Sequence, residues 1–160
     1  MAKRRNEYTF RGGDIIEREE YHDGKYGAKG KKREKKKTPT REDMKKVNAM
    51  NKAKKARHKM LTYFGPGDIL ATWGYLVKNR PGSMKEALDD FKKAIRTVRR
   101  EYKKRGYELF WIRNIEKGTR GAWHIHIIVN EIGDTASILE KAWQKGGTWA
   151  CAIKKSQYYD

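Results

Sequence analysis

The chain has 160 residues, with 39 Lys and Arg against 20 Asp and Glu, so its formal net charge is +19. We expect neither a membrane-spanning segment nor a secretory signal, because long apolar runs are missing and the chain starts with basic residues. A single cysteine, Cys151, is typical of a reducing compartment. The positive charge favours a polyanionic partner, with nucleic acid ahead of an anionic membrane.

The charge is concentrated at the beginning of the chain. Residues 1–60 hold 21 Lys and Arg and 9 acidic residues, whereas residues 61–160 hold 18 and 11. Because residues 24–37 have almost no large apolar side chains, we expect residues 1–39 to be mostly disordered. We interpret residues 1–60 as a basic N-terminal arm, partly disordered or helical, and residues 61–160 as the folded domain. The arm is either a solubilising tail or a segment that lies along a phosphate backbone.

A helix is predicted within this arm, from Thr40 to about Met60. Thr40 and Asp43 have the spacing of a helix cap, and good helix formers follow. The apolar face of this helix is thin, so its Lys-rich face is expected to meet nucleic acid. The arm residues expected to bind nucleic acid are Lys36, Lys37, Lys54 and Lys55.

Six elements are predicted in the rest of the chain. They are a strand at 69–77, a helix from Ser83 to about Gly106, strands at 107–116 and 123–130, a helix starting at Asp134 or Thr135, and a strand at 148–153. The order strand, helix, strand, strand, helix, strand is that of a ferredoxin-like split βαβ, an α+β fold with a central antiparallel sheet.

The long helix has two different faces. Ser83 and Glu86 fit a capping box, and apolar residues recur behind them at helical spacing. The opposite face is basic. The domain residues expected to bind nucleic acid are Lys92, Lys93, Arg96, Arg99, Arg100 and, in the loop between the two middle strands, Arg120.

Two histidines lie in the strand at 123–130. Side chains alternate along a strand, so His124 and His126 share one face while Ile125 and Ile127 share the other, which we expect to be core. If the hairpin is symmetric, Glu116 lies nearly opposite His124. Two imidazoles and a carboxylate can hold a divalent metal such as Mg²⁺ or Mn²⁺. The alternative is a solvent-facing histidine pair beside an unrelated carboxylate.

A metal site on a basic domain indicates phosphodiester chemistry, which also needs a nucleophile. Tyr158 and Tyr159 follow the last predicted strand and are the candidates within the chain. The alternative for both is a frayed terminus. Trp73 and Trp149 are interpreted as core residues, although either ring could stack on an unpaired base.

Three segments together resemble a known family. They are the turn at 63–68 (YFGPGD), the helix end at 98–102 (VRREY), and the pattern Glu116-x-Gly118-x-x-Gly121-x-x-His124-x-His126. With them, residues 41–160 resemble the rolling-circle replication initiators of phages and plasmids, within the HUH (His-hydrophobic-His) endonuclease superfamily. The replication proteins of Gram-positive bacteria and their phages are the most similar type, although the strand at 72–75 departs from their pattern.

The resemblance implies a function in some detail. It implies that His124, His126 and a nearby acidic residue bind the metal, and that a tyrosine nicks single-stranded or hairpin origin DNA. The 5′-phosphate would stay on the tyrosine until the strands are rejoined. Host replication proteins would be partners, in the cytoplasm of a bacterial host.

The family's third motif, Tyr-x-x-Lys or Tyr-x-x-x-Tyr, does not follow Ile153. Either the nucleophile lies beyond Asp160, or Tyr158 or Tyr159 takes its role. Two other functions stay open at this point. One is a transposase of the same superfamily, and the other is a non-catalytic protein that keeps the fold and binds single-stranded or hairpin DNA.

Overall fold

The computed structural model describes residues 3–22 and 38–154. Within them the strands are β1 (Lys3–Phe10), β2 (Ile15–His22), β3 (Ile69–Gly74), β4 (Trp111–Lys117), β5 (Trp123–Val129) and β6 (Thr148–Ala152). The helices are α1 (Arg41–Tyr63), α2 (Met84–Lys104) and α3 (Thr135–Ala142). The chain divides into two compact units, Met1–Thr62 and Tyr63–Asp160. None of the helices in the described part of the chain has the length and apolar character that crossing a membrane requires.

The first unit begins with an antiparallel hairpin of β1 and β2, in which Lys3 pairs with His22 and Phe10 with Ile15. The prediction that residues 1–39 are mostly disordered is therefore wrong for residues 3–22. Composition misled it, because this stretch has five basic and five acidic residues, several of which pair across the strands. Two cross-strand ion pairs show the pattern, Arg5 with Glu20 at 3.0 Å and Arg18 with Glu7 at 2.9 Å. The remainder of that prediction, at residues 23–37, lies outside the described residues.

Helix α1 starts with the predicted cap. The backbone N–H of Asp43 donates to Thr40 Oγ1 at 3.1 Å, and the N–H of Thr40 donates to Asp43 Oδ2 at 3.0 Å. The helix ends at Tyr63, slightly beyond the predicted end at Met60. Its contacts with the hairpin are polar and aromatic: Lys54 Nζ lies 2.6 Å from Glu19 Oε2, and the ring of His58 contacts that of Tyr8.

The second unit has the predicted ferredoxin-like architecture. Its four strands form one sheet in the order β4-β5-β3-β6, and every neighbouring pair is antiparallel. The crossovers β3-α2-β4 and β5-α3-β6 interleave, which is the split βαβ arrangement. The fold class predicted from the order of elements is confirmed.

Both helices of this unit cover the same face of the sheet. Trp73 of β3 is fully buried, and its ring stacks on that of Trp143, just after α3, with ring centroids 5.0 Å apart. Phe91 of α2 contacts Trp73 and also Trp111 of β4. We call this side of the sheet the covered face; it contains the hydrophobic core.

Helix α2 has the predicted capping box and the predicted core face. The N–H of Glu86 donates to Ser83 Oγ, and the Glu86 carboxylate in turn accepts from the N–H of Gly82. Near its end, Tyr102 is fully buried and donates its hydroxyl to the carbonyl of Asn130 at 2.5 Å. Burial raises the pKa of Tyr102 to about 12.

The loop before β6 packs closely against the end of β3. Gly74 N donates to the carbonyl of Gly147 at 2.9 Å, and Leu76 N donates to that of Lys145 at 3.0 Å. A Cβ on Gly146 would collide with the carbonyl oxygen of Gly74. β3 accordingly stops at Gly74 instead of continuing to Val77, where residues 77–79 form a 3₁₀ turn.

Candidate active site on the open face of the sheet

The side of the sheet opposite the covered face carries no helix within the described residues, and we call it the open face. β5 confirms the predicted alternation, since Ile125, Ile127 and Val129 are buried while His124 and His126 are only partly covered. Residues that pair directly across antiparallel strands point to the same side. The register therefore identifies the open-face residues.

Two rows of paired residues cross this face. In the first row, Glu116 of β4 pairs with His124, which also pairs with Gly74 of β3. The predicted pairing of Glu116 with His124 is confirmed. In the second row His126 stands between other partners, namely Asn114 of β4 and, on its other side, Thr72 and then Trp149.

The imidazole of His126 is held from both sides. Its Nε2 lies 2.8 Å from Glu116 Oε1, and its Nδ1 lies 3.0 Å from Thr72 Oγ1. Because an ionised carboxylate can only accept, Nε2 donates to Glu116, and in the neutral ring the Thr72 hydroxyl donates to Nδ1. Sequence reasoning missed Thr72, since only the register between β3 and β5 brings it to His126.

His124 has a different environment. Its ring lies over Gly118 so closely that a Cβ there would sit 3.2 Å from His124 Cε1. The ring centroids of His124 and His126 are 6.4 Å apart. The glycine in the pattern Glu116-x-Gly118 thus gives His124 room beside the hairpin loop.

The donor set can be compared with the needs of a divalent ion. An octahedral ion with ligand bonds of about 2.1 Å needs neighbouring ligand atoms about 3 Å apart. Glu116 Oε1 and His126 Nε2 meet that separation, and Thr72 holds the other ring nitrogen, as the outer partner of a ligating histidine commonly does. His124 would complete the set only after its side chain turns. As they stand, no three His, Cys, Asp or Glu side chains among residues 3–22 and 38–154 are grouped to hold a metal.

Neither predicted nucleophile can be placed, because Tyr158 and Tyr159 lie outside the described residues. Among the tyrosines that can be placed, Tyr75 and Tyr102 belong to the covered side, where burial raises the pKa of each. Tyr63 stacks on Phe110, six positions before Glu116 and thus about 20 Å along the strand direction. These three are distant from the histidine pair or screened from it by the sheet.

Comparison with known protein families decides the family of this chain. A model of the replication-associated protein ORF2 family matches residues 61–159. The chain belongs to this replication-associated protein family. The match covers the whole four-stranded sheet, both of its helices and the segment with Tyr158 and Tyr159. No curated protein and no solved structure matches the chain.

The structure of this replication-associated protein separates two features that the sequence suggested were adjacent. All six basic residues on the outer side of α2 are exposed, as predicted. However, α2 packs on the covered face, so the sheet and the helix itself, about 10 Å thick, stand between these residues and the histidine pair. These side chains are Lys92, Lys93, Arg96, Arg99, Arg100 and Lys103.

The other predicted nucleic-acid contacts have different outcomes. Lys54 is held within the first unit by Glu19 and Tyr8, so its interpretation as a phosphate ligand is not supported by its contacts. Lys55 is exposed on α1, and Lys36 and Lys37 lie outside the described residues. Arg120 lines a cleft of about 300 Å³ beside His124.

Arg80 lines the same cleft and was missed by sequence reasoning. It follows the 3₁₀ turn after β3, and nothing local in the sequence connects it with the β4–β5 loop. The two tryptophans also differ. Trp73 is fully buried, as expected, whereas Trp149 is 57% exposed on the open face, so the expectation of a core position for Trp149 is wrong.

Proposed function

We propose that this protein is a replication initiator endonuclease of the HUH type, which nicks single-stranded or hairpin origin DNA at the open face of its sheet. One observation carries the proposal. In a chain of a replication-associated family, Glu116, His124 and His126 occupy adjacent positions on one exposed face, with Glu116 and His126 in contact at 2.8 Å.

Glu116, His124 and His126 are the residues proposed to hold Mg²⁺ or Mn²⁺. Such an ion would supply positive charge to the non-bridging oxygens of a phosphate. Thr72 fixes the orientation of the His126 ring, and Gly118 leaves room for that of His124. The face is exposed enough to admit a strand, since the side chains of Glu116 and His126 are 54% and 36% exposed.

The proposed nucleophile is Tyr159 or Tyr158. In the step implied by the family resemblance, the tyrosine oxygen attacks the phosphorus and loses its proton. The bond from phosphorus to the 3′-oxygen breaks, and that oxygen takes up a proton. The 5′-phosphate remains on the tyrosine, so that a later attack by a 3′-hydroxyl rejoins the strand and releases the tyrosine without an external energy source.

The covalent adduct provides the decisive test. The chain is incubated with 5′-labelled and 3′-labelled single-stranded DNA and Mn²⁺, and protein-bound label is sought on a denaturing gel. We expect label on the protein only when it marks the 3′ part of the DNA. We also expect loss of the adduct in Tyr159→Phe or Tyr158→Phe.

The metal ligands are tested with a matched pair of variants. Glu116→Gln and His126→Ala should lower nicking at least 100-fold while leaving salt-sensitive DNA binding nearly intact. Glu140→Gln alters an exposed carboxylate on α3, on the covered side of the sheet, and should nick normally. Mn²⁺ binding measured by calorimetry gives a readout without DNA; unchanged binding in Glu116→Gln and His126→Ala would refute the site.

A second function has its own support. In the described residues His124 stands apart from Glu116 and His126, and no group of three ligands is formed. This favours a non-catalytic protein that keeps the fold and binds single-stranded or hairpin DNA. Binding without any adduct, at every Mn²⁺ concentration tested, would decide for it.

A further inference from the structure

The cleft beside His124 has the character of an anion site. It lies at the loop end of the β4–β5 hairpin, where Gly118 N donates to the carbonyl of Ala122 and closes the loop. Its volume is about 300 Å³, and it is lined by Arg80, Gly118, Thr119, Arg120, Ala122 and His124. Within the residues that the structure describes, neither arginine takes part in a salt bridge. Two guanidinium groups with no carboxylate partner there suit a phosphate, which they can bind in a bidentate manner.

Trp149 lies on the other side of the histidine pair. It pairs with Thr72, which pairs with His126, so Trp149 is two strands away from His126, or about 10 Å at the backbone. Its 57% exposure is unlike that of Trp73, the neighbouring tryptophan on β3, which is fully buried. A large aromatic ring lying open on a polar sheet face offers a surface for stacking.

We propose that an unpaired DNA strand crosses the open face, with one phosphate bound between Arg80 and Arg120 and one base stacked on Trp149. This inference rests on the proposed function, because it places the phosphate to be cut between these two contacts, at Glu116 and His126. The ligand is a single strand, since in a duplex both faces of each base are already covered by its neighbours. Phosphate and stacking contacts carry little sequence information, so the path selects unpaired DNA before it selects a sequence.

The stacking contact is tested by removing bases one at a time. Affinity for a short single strand is measured by fluorescence anisotropy in EDTA, with an abasic site moved along the strand. For the unaltered chain, one position should weaken binding about 5- to 150-fold. In Trp149→Ala the same abasic site should cost less than twofold, while Trp149→Phe should keep most of the effect.

The phosphate contact is tested in the same way with neutral methylphosphonate linkages. One linkage should weaken binding by the unaltered chain, and the same linkage should have no effect in Arg80→Ala or Arg120→Ala. Each of these variants should also lower the slope of log affinity against log salt by about one. Arg99→Ala, on the outer side of α2, is the matched control and should keep the sensitivity to that linkage.

Because binding is measured without metal, the two proposals can fail separately. Loss of nicking with both sensitivities intact would overturn the endonuclease and leave the strand path standing. Trp149→Ala, Arg80→Ala or Arg120→Ala variants that keep the sensitivity of the unaltered chain at every position would overturn the path, even in a chain that nicks DNA. Equal affinity for a duplex of the same sequence would overturn it as well.

Discussion

The two faces of the four-stranded sheet are built from alternate residues of the same strands, yet they have opposite properties. On the covered face, Trp73 is buried against Phe91 and Trp143. One residue away on β3, Thr72 turns its hydroxyl to His126 on the open face. Because the side-chain period of a strand is two, the register that buries the first set necessarily exposes the second. Folding and the proposed chemistry therefore depend on different residues of the same strands.

The first and largest expected effect tests this division with the two tryptophans. Trp73→Ala should lower the free energy of unfolding by about 3–5 kcal/mol, because it leaves a cavity in the core. Trp149→Ala should change that free energy by no more than about 0.5 kcal/mol, as surface substitutions usually do. Urea unfolding followed by circular dichroism measures both. Equal losses would show that Trp149 also serves the core.

A smaller loss is expected where the β6 loop meets the end of β3. A Cβ on Gly146 would collide with the backbone of Gly74, which pairs with His124 on the open face. Gly146→Ala should therefore cost about 1–3 kcal/mol of unfolding free energy, by overpacking. Gly147→Ala is the matched control, since a Cβ there meets nothing within 4 Å. A Gly146→Ala protein as stable as Gly147→Ala would show that the loop moves away from Gly74 easily.

Tyr102→Phe should cost about 1 kcal/mol at pH 7, since it removes the hydrogen bond to the carbonyl of Asn130. The loss should shrink at high pH. Burial raises the pKa of Tyr102 to about 12, so between about pH 10 and 12 the unfolded chain loses this proton while the folded protein keeps it. The free energy of unfolding of the unaltered chain therefore falls with pH in this range. In Tyr102→Phe this part of the fall is missing, and a constant difference from pH 8 to 11 would contradict the assignment.

The smallest effect is expected on the outer side of α2. Arg96→Ala and Arg100→Ala should change the rate of nicking less than twofold, because the helix and the sheet separate these residues from the open face. Arg120→Ala, which alters the cleft beside His124, should lower the rate of nicking more than tenfold at limiting DNA. A comparable loss in all three variants would show that DNA contacts both sides of the domain at once.

Several features were predictable from the sequence because they depend on local spacing. The caps at Thr40 and Ser83, the buried stripe of α2 and the shared face of His124 and His126 follow from helix and strand periodicity. The pairing of Glu116 with His124 also follows, since a short loop fixes the register of the strands that it connects. The hairpin at 3–22 was missed because net charge was considered without the cross-strand pairing of opposite charges.

The tertiary structure alone decided what lies next to the histidines. Which side of the sheet α2 and α3 cover depends on packing between elements distant in sequence, and this choice placed the basic side of α2 away from the site. The same long-range packing buried Trp73, exposed Trp149, and brought Thr72 and Arg80 to the histidine pair. Local spacing determines which residues share a face, whereas only contacts between distant segments determine which face becomes the core and which stays open to a substrate.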